Sequence, residues 1–374
     1  MRAPWALRSP VRQVRNAIAA ARTTVTQLPR WRSTLATTPR TGGLALSYGV
    51  ERMPPSDAVV YGGAVKFSLL DQRLPNAPRD FNVLYLGSSS MPIEARTLVR
   101  LARRRGAVFA WNQDGVAYRG WYGEGWQLVN RPRARLLRQA DVVFYQTAFC
   151  KLGADLFYGA PTGRWEILPN PVDTARFTPA NAPPRPLTML LAGSQYQRYR
   201  VEAALTTLAH VRRSVPDARL LVAGALTFAP DAPAVVAALI DRLALRDAVE
   251  LVGPYTQAEA PRLLHRADLL LHTKYNDPCP TAVLEAMACG LPVVYSASGG
   301  VPELVGDAGI GVEAPLDWER DHPPSPEELA VAVLAAAERL PELGEAARRR
   351  AVERFDASGW VARHVEVFEE LLQR

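Results

Sequence analysis

Short apolar runs recur along the chain, and most are followed by a segment with helical spacing. In the first half the clearest runs are Phe81–Ser88, Ala107–Trp111 and Asp141–Gln146. Apolar runs of this length are typical of strands that are buried on both faces. Two shorter strands and three intervening helices are also predicted, at Leu44–Tyr48 and Trp165–Leu168, and at Ala64–Leu74, Pro92–Arg105 and Trp126–Ala140. The alternation predicts βαβ units and an α/β fold with parallel sheets.

A second alternating set begins at residue 187. Its predicted strands are Leu187–Ala192, Arg219–Ala223, Val249–Val252, Leu269–His272 and Pro292–Ser298, and its predicted helices are Val201–Arg213, Ala234–Leu243, Ala258–Ala267 and Thr281–Ala288. The segment before it, residues 180–186, is rich in proline and polar, as linkers between domains often are. We therefore predict a basic extension over residues 1–40, a first domain over 41–178 and a second over 179–357.

Composition restricts the class of protein. The chain has 374 residues, of which 48% are hydrophobic and 22% charged, as in soluble globular proteins. No apolar run approaches the roughly 20 residues that a membrane-spanning helix needs. The three cysteines are scattered and form no C-x-x-C pair, which argues against disulfides or a zinc site and favours a reducing, cytoplasmic location.

The formal net charge of +7 favours acidic partners such as phosphorylated substrates or anionic lipid. No signature of nucleic-acid binding accompanies it, so we expect no nucleic-acid partner. Residues 1–50 contain no Asp or Glu, and apolar residues recur at helical spacing between Val11 and Leu28. Three interpretations remain open for this stripe: a helix packed on the body of the protein, a helix on the inner face of an anionic membrane, or a transit peptide.

The stretch from Tyr275 to Pro302 carries the strongest candidate chemistry. It predicts a loop with two prolines, a helix over Thr281–Ala288, a turn at Gly290 and a buried strand. Backbone N–H groups at the helix start, over Pro280, Thr281 and Ala282, favour an anion such as phosphate. Carboxylates flank this position, Asp277 on the loop and Glu285 in the helix. A phosphate position between two carboxylates suggests that the ligand is a nucleotide-sugar, with its diphosphate at the N–H groups and one hydroxylated ring at each carboxylate.

This stretch and the Gly299–Glu303 tail (GGVPE) resemble the E-x7-E signature of retaining GT-B glycosyltransferases of family 4, the glycosyl transferases group 1. Asp277 stands where the family has its first Glu. The resemblance implies two Rossmann-like, doubly wound parallel-sheet domains facing across a cleft, with a C-terminal helix near 358–374 packed back on the first domain. The segment from Asn170 to Pro179 is similar to the family's hinge.

The resemblance also implies roles for individual residues. Glu285 would hold the ribose hydroxyls of the donor, and Asp277 the donor sugar. Gly193 and Ser194 lie where the family's first turn grips the donor diphosphate with an Arg–Lys pair, which this chain lacks. Arg198 or Arg200 could supply the missing charge, so we predict Asp277, Arg198 and Arg200 as catalytic.

On the acceptor side, the sequence offers Gly62, Gly63, Asn112 and Asp114 at predicted strand ends. Glycines let backbone approach a ligand, and the polar pair could bind acceptor hydroxyls or cap a turn. No cluster has metal-ligand spacing, so neither a metal nor a cofactor is predicted.

The resulting hypothesis is a metal-independent, hexosyltransferase-like enzyme of bacterial glycan biosynthesis. It would move a sugar from a nucleotide-diphosphate donor to a glycan, lipid-linked or small-molecule acceptor. Two alternatives keep the fold: a non-catalytic nucleotide-sugar-binding relative, and a nucleotide-sugar epimerase.

Overall fold

The structure is a computed structural model that describes residues 42–53, 62–180 and 185–373. The predicted basic extension and its helical stripe lie outside the described residues. The described chain forms two compact units. The N-terminal unit comprises residues 42–170 together with 357–373, and the C-terminal unit comprises 171–356. The first division therefore falls eight residues before the boundary predicted after residue 178.

The N-terminal unit contains a wholly parallel five-stranded sheet in the order β1-β2-β3-β4-β5. Its strands are β1 (Leu46–Ser47), β2 (Val83–Gly87), β3 (Val108–Gln113), β4 (Val142–Tyr145) and β5 (Arg164–Ile167). Its helices are α1 (Gly62–Asp71), α2 (Ala95–Arg104), α3 (Arg119–Tyr122), α4 (Trp126–Leu137), α5 (Ala148–Tyr158) and α13 (Ala357–Leu372).

Helix α13 packs on the sheet of the N-terminal unit. Its Trp360, Val367 and Phe368 are buried in one apolar cluster with residues of β1, β2 and β4. Arg363 also pairs with Glu166 of β5 at 2.7 Å. The last described helix is therefore part of the core of the N-terminal unit, although the C-terminal unit precedes it in the sequence.

The C-terminal unit contains a wholly parallel six-stranded sheet in the order β11-β10-β9-β6-β7-β8. Its strands are β6 (Thr188–Leu191), β7 (Arg219–Ala223), β8 (Val249–Gly253), β9 (Leu269–His272), β10 (Val293–Ala297) and β11 (Gly309–Glu313). Its helices are α6 (Arg198–Val211), α7 (Ala232–Arg242), α8 (Ala260–Leu264), α9 (Thr281–Ala288), α10 (Val301–Val305), α11 (Pro326–Ala337) and α12 (Leu340–Phe355).

Both faces of this second sheet are covered. Side chains alternate between two apolar clusters along the strands, as Met189 and Leu191 belong to one cluster and Leu190 to the other. Because successive side chains point to opposite faces of a strand, the sheet separates two cores. The two parallel α/β units confirm the predicted fold class. None of the described helices is long and apolar enough to cross a bilayer.

Candidate functional site

The strand order of the C-terminal unit reverses at β6, which lies between β7 and β9. In open parallel sheets, ligands bind at the carboxyl ends of the strands beside such a reversal. Strand β6 runs into Gly193, and β9 runs into the loop that carries Asp277. The sheet therefore places the two predicted donor-binding loops at neighbouring strand ends.

The loop after β6 engages the side chains at the start of α6. Arg200 is buried, and it donates to the carbonyl oxygens of Ser194 (2.6 Å) and Ala192 (3.2 Å). Arg198 is exposed and pairs with Glu202 at 2.7 Å. Tyr199, between them, accepts a hydrogen bond from the Tyr275 N–H at 3.0 Å. Arg200 therefore lies within the site and Arg198 on its surface, while their predicted roles stay predictions.

Asp277 is buried between two basic side chains. Its carboxylate lies 2.9 Å from Lys274 Nζ and 3.2 Å from His272 Nε2. Burial alone would raise the pKa of Asp277, but Lys274 and His272 together hold it well below its ordinary value. Burial lowers the pKa of His272, against the effect of Asp277. Asp277 is therefore ionised and His272 neutral near pH 7.

The Gly299–Gly300 pair fixes the backbone of the Asp277 loop. The Gly300 N–H donates to the Asp277 carbonyl at 2.9 Å. Gly299 has a φ of +68°, and a Cβ there would lie only 2.5 Å from the Asp277 carbonyl oxygen. Asn276 also adopts a positive φ, of +50°, and its N–H is held by Ser298 Oγ at 2.8 Å. The glycine tail of the signature therefore packs against the backbone of Asp277.

Helix α9 begins beside this loop, with Pro280 as its N-cap. Pro280 has no N–H, and the Val283 N–H donates to the Pro280 carbonyl at 3.1 Å. The first N–H groups of a helix have no intrahelical acceptor, so those of Thr281 and Ala282 are the ones available to an anion. The predicted anion position thus rests on two N–H groups, without a contribution from Pro280.

Glu285 lies in α9 with only 5% of its surface exposed. Burial raises its pKa to about 7, although the hydrogen bond from Gln257 Nε2 to Glu285 Oε1, at 3.0 Å, acts in the opposite direction. Asp277 and Glu285 are therefore two carboxylates with opposite pKa shifts, because Lys274 and His272 contact the Asp277 carboxylate directly, whereas burial dominates at Glu285. Near neutral pH Glu285 therefore exchanges between its neutral and ionised forms.

A second polar cluster lies at the carboxyl edge of the N-terminal sheet. Lys66 of α1 is buried, and its ammonium group donates to Asn112 and Asp114. Burial would raise the pKa of Asp114, but Lys66 lowers it below the ordinary value. Asp114 also accepts hydrogen bonds from Ser88 Oγ at 3.1 Å and from Gln146. Both polar residues predicted to meet an acceptor are therefore already bonded within the protein.

Gly62 and Gly63 are the first two residues of α1, although the sequence places them in the preceding loop. They lie one helical turn before Lys66.

Among the described residues, no group of three or more His, Cys, Asp and Glu side chains is placed to hold a metal ion.

Residues 174–320, which include Asp277, Glu285 and the loop after β6, match the family described as "Glycosyl transferases group 1". This part of the chain is similar to that family. The resemblance inferred from the stretch Tyr275–Pro302 is therefore confirmed over residues 174–320, which we call the glycosyltransferase segment.

Curated relatives support the same assignment. The chain is 27% identical to D-inositol 3-phosphate glycosyltransferase of Segniliparus rotundus over 203 residues, covering 51% of this chain and 43% of the relative. It is 30% identical to glycogen synthase of Mycobacterium tuberculosis over 196 residues, covering 50% and 45%. The chain thus spans less than half the length of these relatives.

Solved structures have the same fold over most of the chain. A structure of Anabaena HepE in complex with UDP aligns with a TM-score of 0.62 and 18% identity, over 82% of this chain and 81% of that one. Sucrose-phosphate synthase from Thermosynechococcus elongatus aligns with a TM-score of 0.64 and 18% identity, over 82% and 76%. The fold is therefore that of the GT-B glycosyltransferases.

The sequence reasoning missed two residues of these clusters, Lys66 and Lys274. The sequence signal that could have found them is their rarity. Only three of the 44 Lys and Arg residues are lysines, namely Lys66, Lys151 and Lys274. Each of the three pairs with an aspartate. Two of these aspartates, Asp114 and Asp277, are buried.

Proposed function

We propose that the protein is a glycosyltransferase that takes a sugar from a nucleotide-diphosphate donor with retention of configuration. The observation that carries this proposal is the grouping of Arg200, the start of α9 and Glu285 at the strand-order reversal within the glycosyltransferase segment. The structural neighbours include HepE in complex with UDP and with UDP-glucose, so UDP-sugars are the first donors to test.

Each group would act on a different part of the donor. The ionised form of Glu285 would accept hydrogen bonds from the ribose hydroxyls. The N–H groups of Thr281 and Ala282, with Arg200, would meet the charge that develops on the leaving diphosphate, and preorganised donors of this kind contribute strongly to such transfers. We propose that this occurs without a metal or cofactor, and that a glycan, lipid-linked or small-molecule acceptor meets the N-terminal unit.

Replacing Glu285 with alanine should weaken nucleoside diphosphate binding by about ten- to a hundredfold at pH 8, since a hydrogen bond to a charged group contributes about 1.5–3 kcal/mol. Titration calorimetry with UDP, GDP and ADP measures this. Glu353→Ala, which removes an exposed carboxylate from α12, is the control and should bind as the wild type does. Equal affinities of the Glu285→Ala variant and the wild type would remove Glu285 from the site.

A donor panel with product analysis then tests the reaction itself. We expect transfer or hydrolysis of one nucleotide-sugar, with the anomeric configuration retained in the product. The second candidate function is non-catalytic nucleotide-sugar binding, and the ion pairing of Asp277 with Lys274 favours it because the carboxylate predicted to contact the sugar is already engaged. Turnover of any donor by the wild type rules that candidate out.

We also propose a peripheral contact with anionic membrane through α2 and α4. These neighbouring helices expose seven arginines, Arg96, Arg100, Arg103, Arg104, Arg131, Arg135 and Arg138. Ile93, two residues before α2, and Leu128 of α4 are also exposed. Each arginine near an anionic leaflet contributes up to about 1 kcal/mol, so the cluster could hold the enzyme where lipid-linked acceptors lie.

Co-sedimentation with anionic vesicles at low salt should recover the wild type with the lipid. Binding should fall with added salt, with deletion of residues 1–40, and in a variant with Arg96, Arg100, Arg131 and Arg135 changed to glutamine. A matched variant with four exposed arginines of the C-terminal unit changed to glutamine, Arg213, Arg242, Arg349 and Arg354, should still bind. Equal recovery with neutral and anionic vesicles would exclude the membrane contact.

A further inference from the structure

Lys274 lies on the loop after β9, and its side chain faces the loop after β6 at the strand-order reversal of the C-terminal unit. Its ammonium group is 2.9 Å from Asp277, on the loop after β9. It also lies 5.5 Å from the centre of the Tyr196 ring, on the loop after β6. About 15% of the Lys274 side chain remains exposed, so the ammonium group is enclosed but reachable.

This cluster contains two cations, Lys274 and Arg200. Burial would lower the pKa of Lys274, but Asp277 raises it above the ordinary value, so the lysine is charged. Arg200, only 3% exposed, is bonded to two carbonyl oxygens, and its Nε has no hydrogen-bond partner among the described residues. His272 is neutral. Asp277 therefore pairs with one of the two cations, Lys274, while the Arg200 Nε keeps a donor without a partner among the described residues, and such a buried donor favours an anionic ligand beside it.

Tyr199 lies between Arg198 and Arg200 in the first turn of α6. The Tyr199 hydroxyl accepts from the Tyr275 N–H, directly after Lys274 in the chain. Tyr199 thus fixes the backbone of the loop after β9 at Tyr275, the residue next to Lys274. The cation is Lys274, on the loop after β9, and the ring of Tyr196, on the loop after β6, lies beside it.

We propose that Lys274 is the residue that binds the diphosphate of the donor, and that Asp277 holds Lys274 in position. This inference rests on the proposed function and changes the assignment within it: the lysine binds the leaving group, and Asp277 becomes a positioning residue. Its ammonium group acts with Arg200 and with the N–H groups of Thr281 and Ala282. The ligand chemistry is a nucleoside diphosphate, with the charge on its phosphates as the recognised feature.

The experiment compares the wild type with the double variant Lys274→Met/Asp277→Asn. The double variant removes one positive and one negative charge, so the net buried charge is unchanged and no carboxylate is left unpaired. Calorimetry measures the affinity for the nucleoside diphosphate that the wild type binds best among UDP, GDP and ADP, and for the corresponding nucleoside. We expect diphosphate affinity to fall about tenfold or more, as for the loss of a charge-assisted contact, while nucleoside affinity is unchanged.

A second variant separates binding from positioning. Asp277→Asn alone keeps Lys274 but no longer holds it, so its diphosphate affinity should lie between those of the wild type and the double variant, with nucleoside affinity unchanged; a diphosphate affinity equal to that of the wild type would remove the positioning role of Asp277. Equal diphosphate affinities of the wild type and the double variant would overturn the role of Lys274 and leave the proposed function standing. A folded wild type that binds none of the three diphosphates would overturn both.

Discussion

Replacing Asp277 with asparagine is expected to destabilise the C-terminal unit by about 3–5 kcal/mol at neutral pH, the usual effect of breaking a buried ion pair on one side. Lys274 and His272 face the carboxylate at 2.9 Å and 3.2 Å, and Lys274 would be left charged beside a neutral amide. Arg200 already adds a second buried cation with no acidic partner among the described residues. The loss of stability should therefore exceed the loss from breaking any ion pair on the protein surface.

The effect of Asp277→Asn depends on pH in a defined direction. The folded-state pKa of Asp277 lies below its ordinary value of 3.8, so its contribution to stability is present above that value and is lost as the pH falls toward the folded-state pKa. Denaturant unfolding at pH 7 and at decreasing acid pH should show the wild type converging on the variant. Asp241→Asn, at an exposed pair with Arg246, is the control and should change little at either pH. A variant as stable as the wild type at pH 7 would contradict the buried pair.

Replacing Glu285 with glutamine is expected to stabilise the same unit at pH 8 by about 3 kcal/mol, since burial raises the pKa from 4.5 to about 7 and each pKa unit corresponds to about 1.4 kcal/mol. Glutamine keeps an oxygen for the Gln257 amide, which donates at 3.0 Å, and it removes the cost of ionising a buried carboxyl group. The variant should nevertheless bind nucleotide more weakly.

For Glu285 the pH dependence has the opposite sign to that of Asp277. A raised folded-state pKa contributes stability that is complete below 4.5 and is lost as the pH rises through about 7. The advantage of Glu285→Gln should therefore disappear when unfolding is measured near pH 5. Glu353→Gln, at an exposed position, serves as the control. The same stability difference at pH 5 and pH 8 would show that Glu285 does not titrate as described.

Much of the fold follows from local sequence pattern. Uninterrupted apolar runs predict β2, β6, β7, β9 and β10 because strands of a parallel sheet are buried on both faces. Helix α5 was missed despite its cap, in which Thr147 Oγ1 accepts from the Cys150 N–H at 3.1 Å. Helix α10 and strand β11 were also missed, since each has only five residues and lacks a long periodic pattern.

The candidate site was predictable where its residues lie close together in sequence. Asp277, Glu285 and the glycine tail could be located because one short stretch carries them all. The ion pair of Lys66 with Asp114 joins residues 48 positions apart, so only the folded chain brings them together. Lys274 is adjacent to Asp277 in sequence, but the pairing depends on the turn at Asn276, whose φ of +50° no local pattern requires.

The position of α13 has a consequence for biosynthesis. The core of the N-terminal unit includes Trp360, Val367 and Phe368, and these residues are synthesised only after the entire C-terminal unit. The N-terminal unit therefore exposes the apolar surface that α13 will cover for as long as the C-terminal unit is being translated. The half that is translated first cannot complete its core until the residues after the second half have been made.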